Sequence, residues 1–149
     1  MPMPAKPVNT ISKHLTKDEI ESRLEEENRL KGGDELLKPP DYLTESQVYY
    51  FNFIIEQLKE ADILGNLDVF ILSHTAVCID RMATFEKKIN ENPNLLLNKM
   101  FMSSKDKYSK DFYKCCTELC LSPQARAKIS LLNSEEQSDP LDFLNSDDD

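Results

Sequence analysis

Between Thr44 and Leu119 apolar residues recur at steps of three and four, the period of helices that bury one face. Val48, Phe51, Ile55 and Leu58 form one stripe, widened by Tyr50, Ile54 and Ala61. Thr44 stands in front of it with Gln47 three places on, a capping box that satisfies backbone donors left over at a helix start. A helix is therefore predicted from Thr44 to about residue 62. DILGNLD then turns the chain, with Asn66 or Asp68 able to begin the next helix. In LDVFILSHTAVCIDRMATFEKKINE a longer stripe runs through Phe70, Ile71, His74, Val77, Cys78, Met82, Phe85 and Ile89. About two dozen residues at 1.5 Å each give a helix of roughly 35 Å. Two such helices joined by so short a turn must lie antiparallel, as a hairpin.

Weaker patterns flank this pair. Thr16 with Glu19 makes another capping box, and KDEIESRLEEENRLK follows with acid-first pairs Glu19–Arg23, Glu25–Arg29 and Glu27–Lys31. Its apolar face is thin (Ile20, Leu24, Leu30), so this helix is predicted to pack peripherally or to await a partner. The glycine pair at 32–33 ends it, and Pro39–Pro40 form a stiff extended link. After the long helix, NPNLLLNKMFMSSKDK reads as a loop whose apolar run must cover the hairpin or a neighbouring subunit. A fourth helix is predicted over about 104–121, with Tyr108, Phe112, Cys115, Cys116 and Leu119 on one face. Lys107, Lys110 and Lys114 project from the other, where Asp111 and Glu118 partly neutralise them at four-residue spacing. Ser122–Pro123 supplies an N-cap and a first-turn proline for a last short helix carrying Arg126 and Lys128.

Composition sharpens this into an all-α chain: a central antiparallel helical hairpin with flanking helices, a disordered N-terminal arm and an acidic C-terminal tail. Three glycines in 149 residues are too few for the turns of a sandwich or barrel. The division expected is a flexible basic arm at 1–16, a charged helix and Pro-rich linker at 17–41, a helical core and oligomerisation region at 42–132, and the tail at 133–149. No apolar run is long enough to span a membrane, and the N-terminus lacks the apolar centre of an export signal. A cytoplasmic chain is the expectation.

The formal charge of −9 is distributed unevenly. Residues 1–17 carry +3 and 99–132 carry +4, whereas 18–41, 42–98 and 133–149 carry −5, −4 and −7. Net positive charge is thus confined to the arm and the last two helices. Duplex affinity rests on phosphate neutralisation, so one chain offers little, and many copies together would offer more. In the tail, seven acids surround one apolar cluster, Leu141, Phe143 and Leu144, which reads as a short motif that folds onto a partner.

Nothing points to catalysis. The chain has no phosphate-cradling glycine loop, no HExxH and no nucleophile elbow. Cys78, Cys115, Cys116 and Cys120 include no CxxC pair and are expected as small buried side chains, with no disulfide and no metal. His74 has no second histidine or carboxylate at ligand spacing beside it, so a core or interface role is expected. No cofactor is implied.

Three stretches together resemble one known family, the small subunits of phage terminases, in the group often encoded beside an HNH endonuclease. They are KHLTKDEIESRLEEENRLKG, LKPPDYLTESQVYYFNFIIEQLKEADILGNLD and the closing LCLSPQARAKIS, and the resemblance spans about residues 13 to 132. It implies a non-enzymatic component that recognises viral double-stranded DNA, hands it to a large ATPase–nuclease subunit and regulates that subunit in the host cytoplasm. It also implies a ring-shaped homo-oligomer built through helical hairpins, with an HNH endonuclease as a further candidate partner. On that reading Lys6, Lys13, Lys17, Lys107, Lys110, Lys114, Arg126 and Lys128 supply phosphate contacts. Leu141, Phe143 and Leu144 dock the large subunit, and Phe51, Ile55, Phe70, His74, Val77, Met82 and Phe85 join neighbouring copies. The competing reading is an acidic helical adaptor or regulator that works through protein–protein contacts and never binds DNA.

Overall fold

Both predicted capping boxes form. Thr16 and Glu19 exchange backbone-to-side-chain bonds of 3.0 and 3.3 Å ahead of α1 (Lys17–Lys31). Thr44 and Gln47 do the same, at 3.1 and 3.4 Å, ahead of α2 (Glu45–Leu58). The computed structural model describes residues 15–127 together with Val8. Within them all regular structure is helical: α1 and α2 are followed by α3 (Val69–Glu91) and α4 (Lys99–Glu118). The expected arm, apart from Val8, Leu15 and Thr16, and the acidic tail lie outside the described residues. No described helix is long and apolar enough to cross a membrane.

The chain divides into two units, Arg29–Leu119 and a second formed from the described parts of Met1–Asn28 and Cys120–Asp149. In the first, α2 packs on α3 and α3 packs on α4. Cross-helix pairs give the directions. The start of α2 meets the middle of α3, where Ser46 Oγ and Gln47 Nε2 donate to the Asp80 carboxylate at 2.8 and 2.9 Å. Along α3 and α4 the pairs run Glu86–Lys105 (2.6 Å) and His74–Asp111 (3.3 Å), so one helix descends as the other rises. The predicted hairpin is present, and α4 extends it antiparallel to α3.

That middle position corrects the predicted stripe of α3. Leu72, Ser73, Thr75, Ala76 and Cys78 are all buried, and at 100° per residue they surround most of the helix. A helix with partners on two sides buries more than one face, so a single-stripe reading misplaces its register. Phe70, assigned to the stripe, is 72% exposed, and His74 is exposed as well. Ser73 and Thr75 tolerate burial because their hydroxyls donate to the carbonyls of Val69 and Ile71, at 2.5 and 2.7 Å. In α2 the buried face is Gln47, Phe51, Ile54 and Leu58, so Ile54 rather than Ile55 is the deeper residue.

Helix α4 begins five residues before the predicted position of 104, at Lys99. Asn98 caps it by accepting from the Phe101 N–H at 3.1 Å, and Pro93–Leu97 form a 3-10 turn instead of an open loop. The apolar run there covers the hairpin only in part: Phe101 packs against Phe85 of α3, whereas Leu96, Leu97 and Met100 are exposed.

Helix α1 buries no side chain, as its thin apolar face predicts. Its expected Glu27–Lys31 pair is replaced. Lys31 Nζ sits 2.6 Å from the Asp62 carboxylate and 2.9 Å from the Asp62 carbonyl, while Glu27 accepts from the Val8 N–H at 2.7 Å. Gly32, at φ +68°, ends the helix in the left-handed conformation. The link beyond is fastened to the α2–α3 connection: the Asn66 N–H donates to the Gly33 carbonyl and Asn66 Oδ1 accepts from the Leu36 N–H, both at 2.9 Å.

The α2 cap gives a direct test. Thr44→Ala removes the acceptor for the Gln47 amide and is expected to cost about 1 kcal/mol. The thermal midpoint should fall by about 5 °C, read by circular dichroism. An unchanged midpoint would mean that the cap does not hold the start of α2.

Candidate functional site

The exposed face of α4 carries Lys107, Lys110 and Lys114, spaced three and four apart in one row. The row runs about 10 Å along the helix. A DNA strand advances about 3.4 Å per phosphate, so this length matches about three phosphates. The neutralisation predicted for the row is rearranged. Asp111 turns to His74 rather than to Lys107, and Lys110 instead pairs with Asp106 one turn before it, at 2.8 Å. That hydrogen bond and the Asp106 charge raise the Lys110 pKa above its ordinary value. Lys105, on the flank, bonds Glu86.

The remaining basic residues are dispersed along the sequence. Lys17 is exposed in the first turn of α1. Arg126 is exposed in the short helical segment 123–127, which Ser122 caps by accepting from the Ala125 N–H at 3.2 Å. Lys6, Lys13 and Lys128 lie outside the described residues, as do Leu141, Phe143 and Leu144.

The residues assigned to subunit contacts fall into different environments. Phe51 is 0% exposed and belongs to the core of its own chain, so it offers no surface to a neighbour. Ile55, Val77, Met82 and Phe85 are half-buried; Phe85 packs edge-on against Phe101, with ring centres 5.0 Å apart. Phe70 stays exposed, with Leu67 nearby at the start of α3. Two further apolar groups are exposed, the first within the run noted in the sequence and the second missed by sequence reasoning. Leu96, Leu97 and Met100 gather at the α3–α4 turn, and Tyr49 stacks on Phe53 across one turn of α2 at 6.3 Å. The signal for the second was a four-residue aromatic step lying off the buried stripe.

Also unforeseen is a cluster between α3 and α4. His74 Nε2 lies 3.7 Å from Cys78 Sγ and 3.3 Å from Asp111 Oδ2. Cys78 is fully buried, whereas the His74 and Asp111 side chains are about half exposed. Burial pushes the Cys78 thiol up to about 11, with Cys115 and Asp111 adding to the effect. Cys78, Cys115 and Cys120 are buried, whereas Cys116 is only half-buried. The sequence places His74 and Cys78 on one helical face, but its nearest carboxylate in space comes from another helix.

The model of one protein family, "Phage terminase, small subunit", matches residues 49–136, more than half of the chain. The match takes in most of α2, all of α3 and α4, and the segment 123–127. It leaves out α1 and the proline link, which carried part of the sequence resemblance. No curated protein and no solved structure matches the chain.

Proposed function

Since the chain belongs to the phage terminase small subunits, we propose that it is the non-catalytic component of genome packaging that recognises viral double-stranded DNA and recruits and regulates the large ATPase–nuclease subunit in the host cytoplasm. The family match carries this reading. The exposed row Lys107, Lys110 and Lys114 supports it, as does exposed Arg126. With a net charge of −9, one chain holds DNA weakly. A ring of copies presents the row many times, and linked contacts raise retention well beyond that of one subunit. Exposed Phe70, Leu67, Leu96, Leu97 and Met100 are among the apolar groups available to join copies. Acids support the non-catalytic role by their employment: Asp62, Glu86 and Asp106 are engaged in ion pairs, and Asp80 binds Ser46 and Gln47. The large subunit is docked by the Leu141, Phe143 and Leu144 motif, and an HNH endonuclease is a further partner.

The adaptor reading draws on one observation, the pairing of Lys110 with Asp106, which weakens the middle of the basic row. Retention of viral DNA by the full chain at graded salt separates the two. Replacing Lys107, Lys114 and Arg126 together by glutamate should lower retention more than tenfold and reduce the salt slope by about one per lost phosphate contact. Light scattering should show the same closed assembly for both proteins. Equal retention by the variant, with that assembly intact, would favour the adaptor.

A further inference from the structure

We propose that His74, Cys78 and Asp111 form a Zn2+ site that pins α3 to α4. Nothing in the packaging reading requires such a site, and it rests on geometry alone. Residues four apart on a helix share a face, so α3 presents an imidazole and a thiol side by side. The antiparallel course of α4 brings the carboxylate to the same point, and the three donor atoms lie within 4.8 Å of one another.

Two of the three separations match donors around one metal, and the third, from sulfur to carboxylate oxygen, lies within 4.8 Å and must close further for one ion to take all three. Zn2+ holds nitrogen and oxygen at about 2.0–2.1 Å and sulfur at about 2.3 Å, in tetrahedral array. Donors placed so are about 3.6 Å apart for sulfur and nitrogen and about 3.4 Å for nitrogen and oxygen. The observed distances are 3.7 and 3.3 Å. A mixed nitrogen, sulfur and oxygen set suits a borderline-soft ion of the zinc class rather than Mg2+ or Ca2+, which take oxygen ligands. Burial completes the arrangement. Cys78 supplies the inner ligand from the core, while half-exposed His74 and Asp111 leave an entry path and a fourth position for water. On binding, the Cys78 thiol releases its proton to solvent and the Zn–S bond takes its place. Cys115, four residues after Asp111, interacts with the Cys78 thiol but stands outside the trio.

Cobalt(II) is the probe, because a thiolate bound to it gives a charge-transfer band and tetrahedral coordination gives intense visible bands. Titration of the reduced, full-length chain should produce both, saturating at one Co2+ per chain. Zn2+ should bleach them and, at a hundredfold excess over its dissociation constant, raise the thermal midpoint by about 10 °C. His74→Ala and Asp111→Asn alter half-exposed positions and should fold, yet each should weaken Co2+ binding more than the 10–100-fold typical of losing an outer-sphere partner. Cys116→Ser should leave the spectrum unchanged. Absence of the bands would reduce the trio to a hydrogen-bonded contact and overturn the proposal. Bands that survive His74→Ala would place the metal on other cysteines and overturn it equally.

Discussion

Phe51→Ala is expected to lower the free energy of unfolding by about 3–5 kcal/mol, the range for deleting a buried aromatic ring. Phe51 sits on the face of α2 that meets α3 and has no exposed surface. Alanine would leave a void walled by two helices. Those helices are tied one turn away by the Asp80 bonds to Ser46 and Gln47 at the start of α2, which resist collapse into the space. A loss of this size lowers the thermal midpoint by about 15 °C or more in a unit of this length. In urea the transition should move to lower concentration with an unchanged slope. Phe70→Ala is the informative contrast. Its ring is largely exposed, so the stability of the single chain should change by no more than about 0.5 kcal/mol. Any effect should appear in the assembled mass instead. Equal destabilisation by the two changes would show that Phe51 is not the anchor of the intrachain core.

The second large effect is expected at Gly65. Its backbone is extended, at φ −126° and ψ 177°, which alanine adopts without strain. The obstacle is space: a Cβ there would run into the Lys31 carbonyl oxygen and lie 3.0 Å from Lys31 Cγ. The carbonyl is backbone and cannot swing aside, so the end of α1 must move off the α2–α3 connection. Gly65→Ala should therefore cost about 2–3 kcal/mol, at the upper end for overpacking. The amides of Asn66 and Leu36, which hold the two segments together, should exchange with solvent much faster. Gly32→Ala fails for the opposite reason. A Cβ at Gly32 meets nothing within 4 Å, but its φ of +68° costs roughly 1–2 kcal/mol in a residue with a side chain. If Gly65→Ala were the milder of the two, the contact with Lys31 would be looser than described.

Local signals in this sequence translated directly into structure. Thr16 with Glu19, Thr44 with Gln47, and Ser122 each announce a helix start by side-chain chemistry within three residues, and each cap forms. The start of α4 escaped because Asn98 lacks a partner acid or amide three places on, while Leu95–Leu97 and Met100–Met102 resemble a covering loop. The face of α3 was misassigned because period alone carries one direction of burial, and this helix has two neighbours. The pairing of His74 with Asp111 lay beyond sequence reading altogether. It depends on the register between α3 and α4, fixed by contacts such as Phe85 on Phe101 that no local pattern encodes.

The order in which the helices pack has a consequence for how the subunit is made. α2, α3 and α4 each lie against their neighbour in the chain, so the contacts close short loops and cost little chain entropy. Helical units rich in local contacts fold in about microseconds to milliseconds. Synthesis at about 5–20 residues per second needs about one to four seconds to add a helix as long as α4. The α2–α3 pair can therefore form and settle while α4 is still being translated, and α4 then docks onto a surface already waiting. In the proposed ring, encounter between copies is the step that depends on concentration, and it would tie the pace of assembly to the rate at which the protein accumulates.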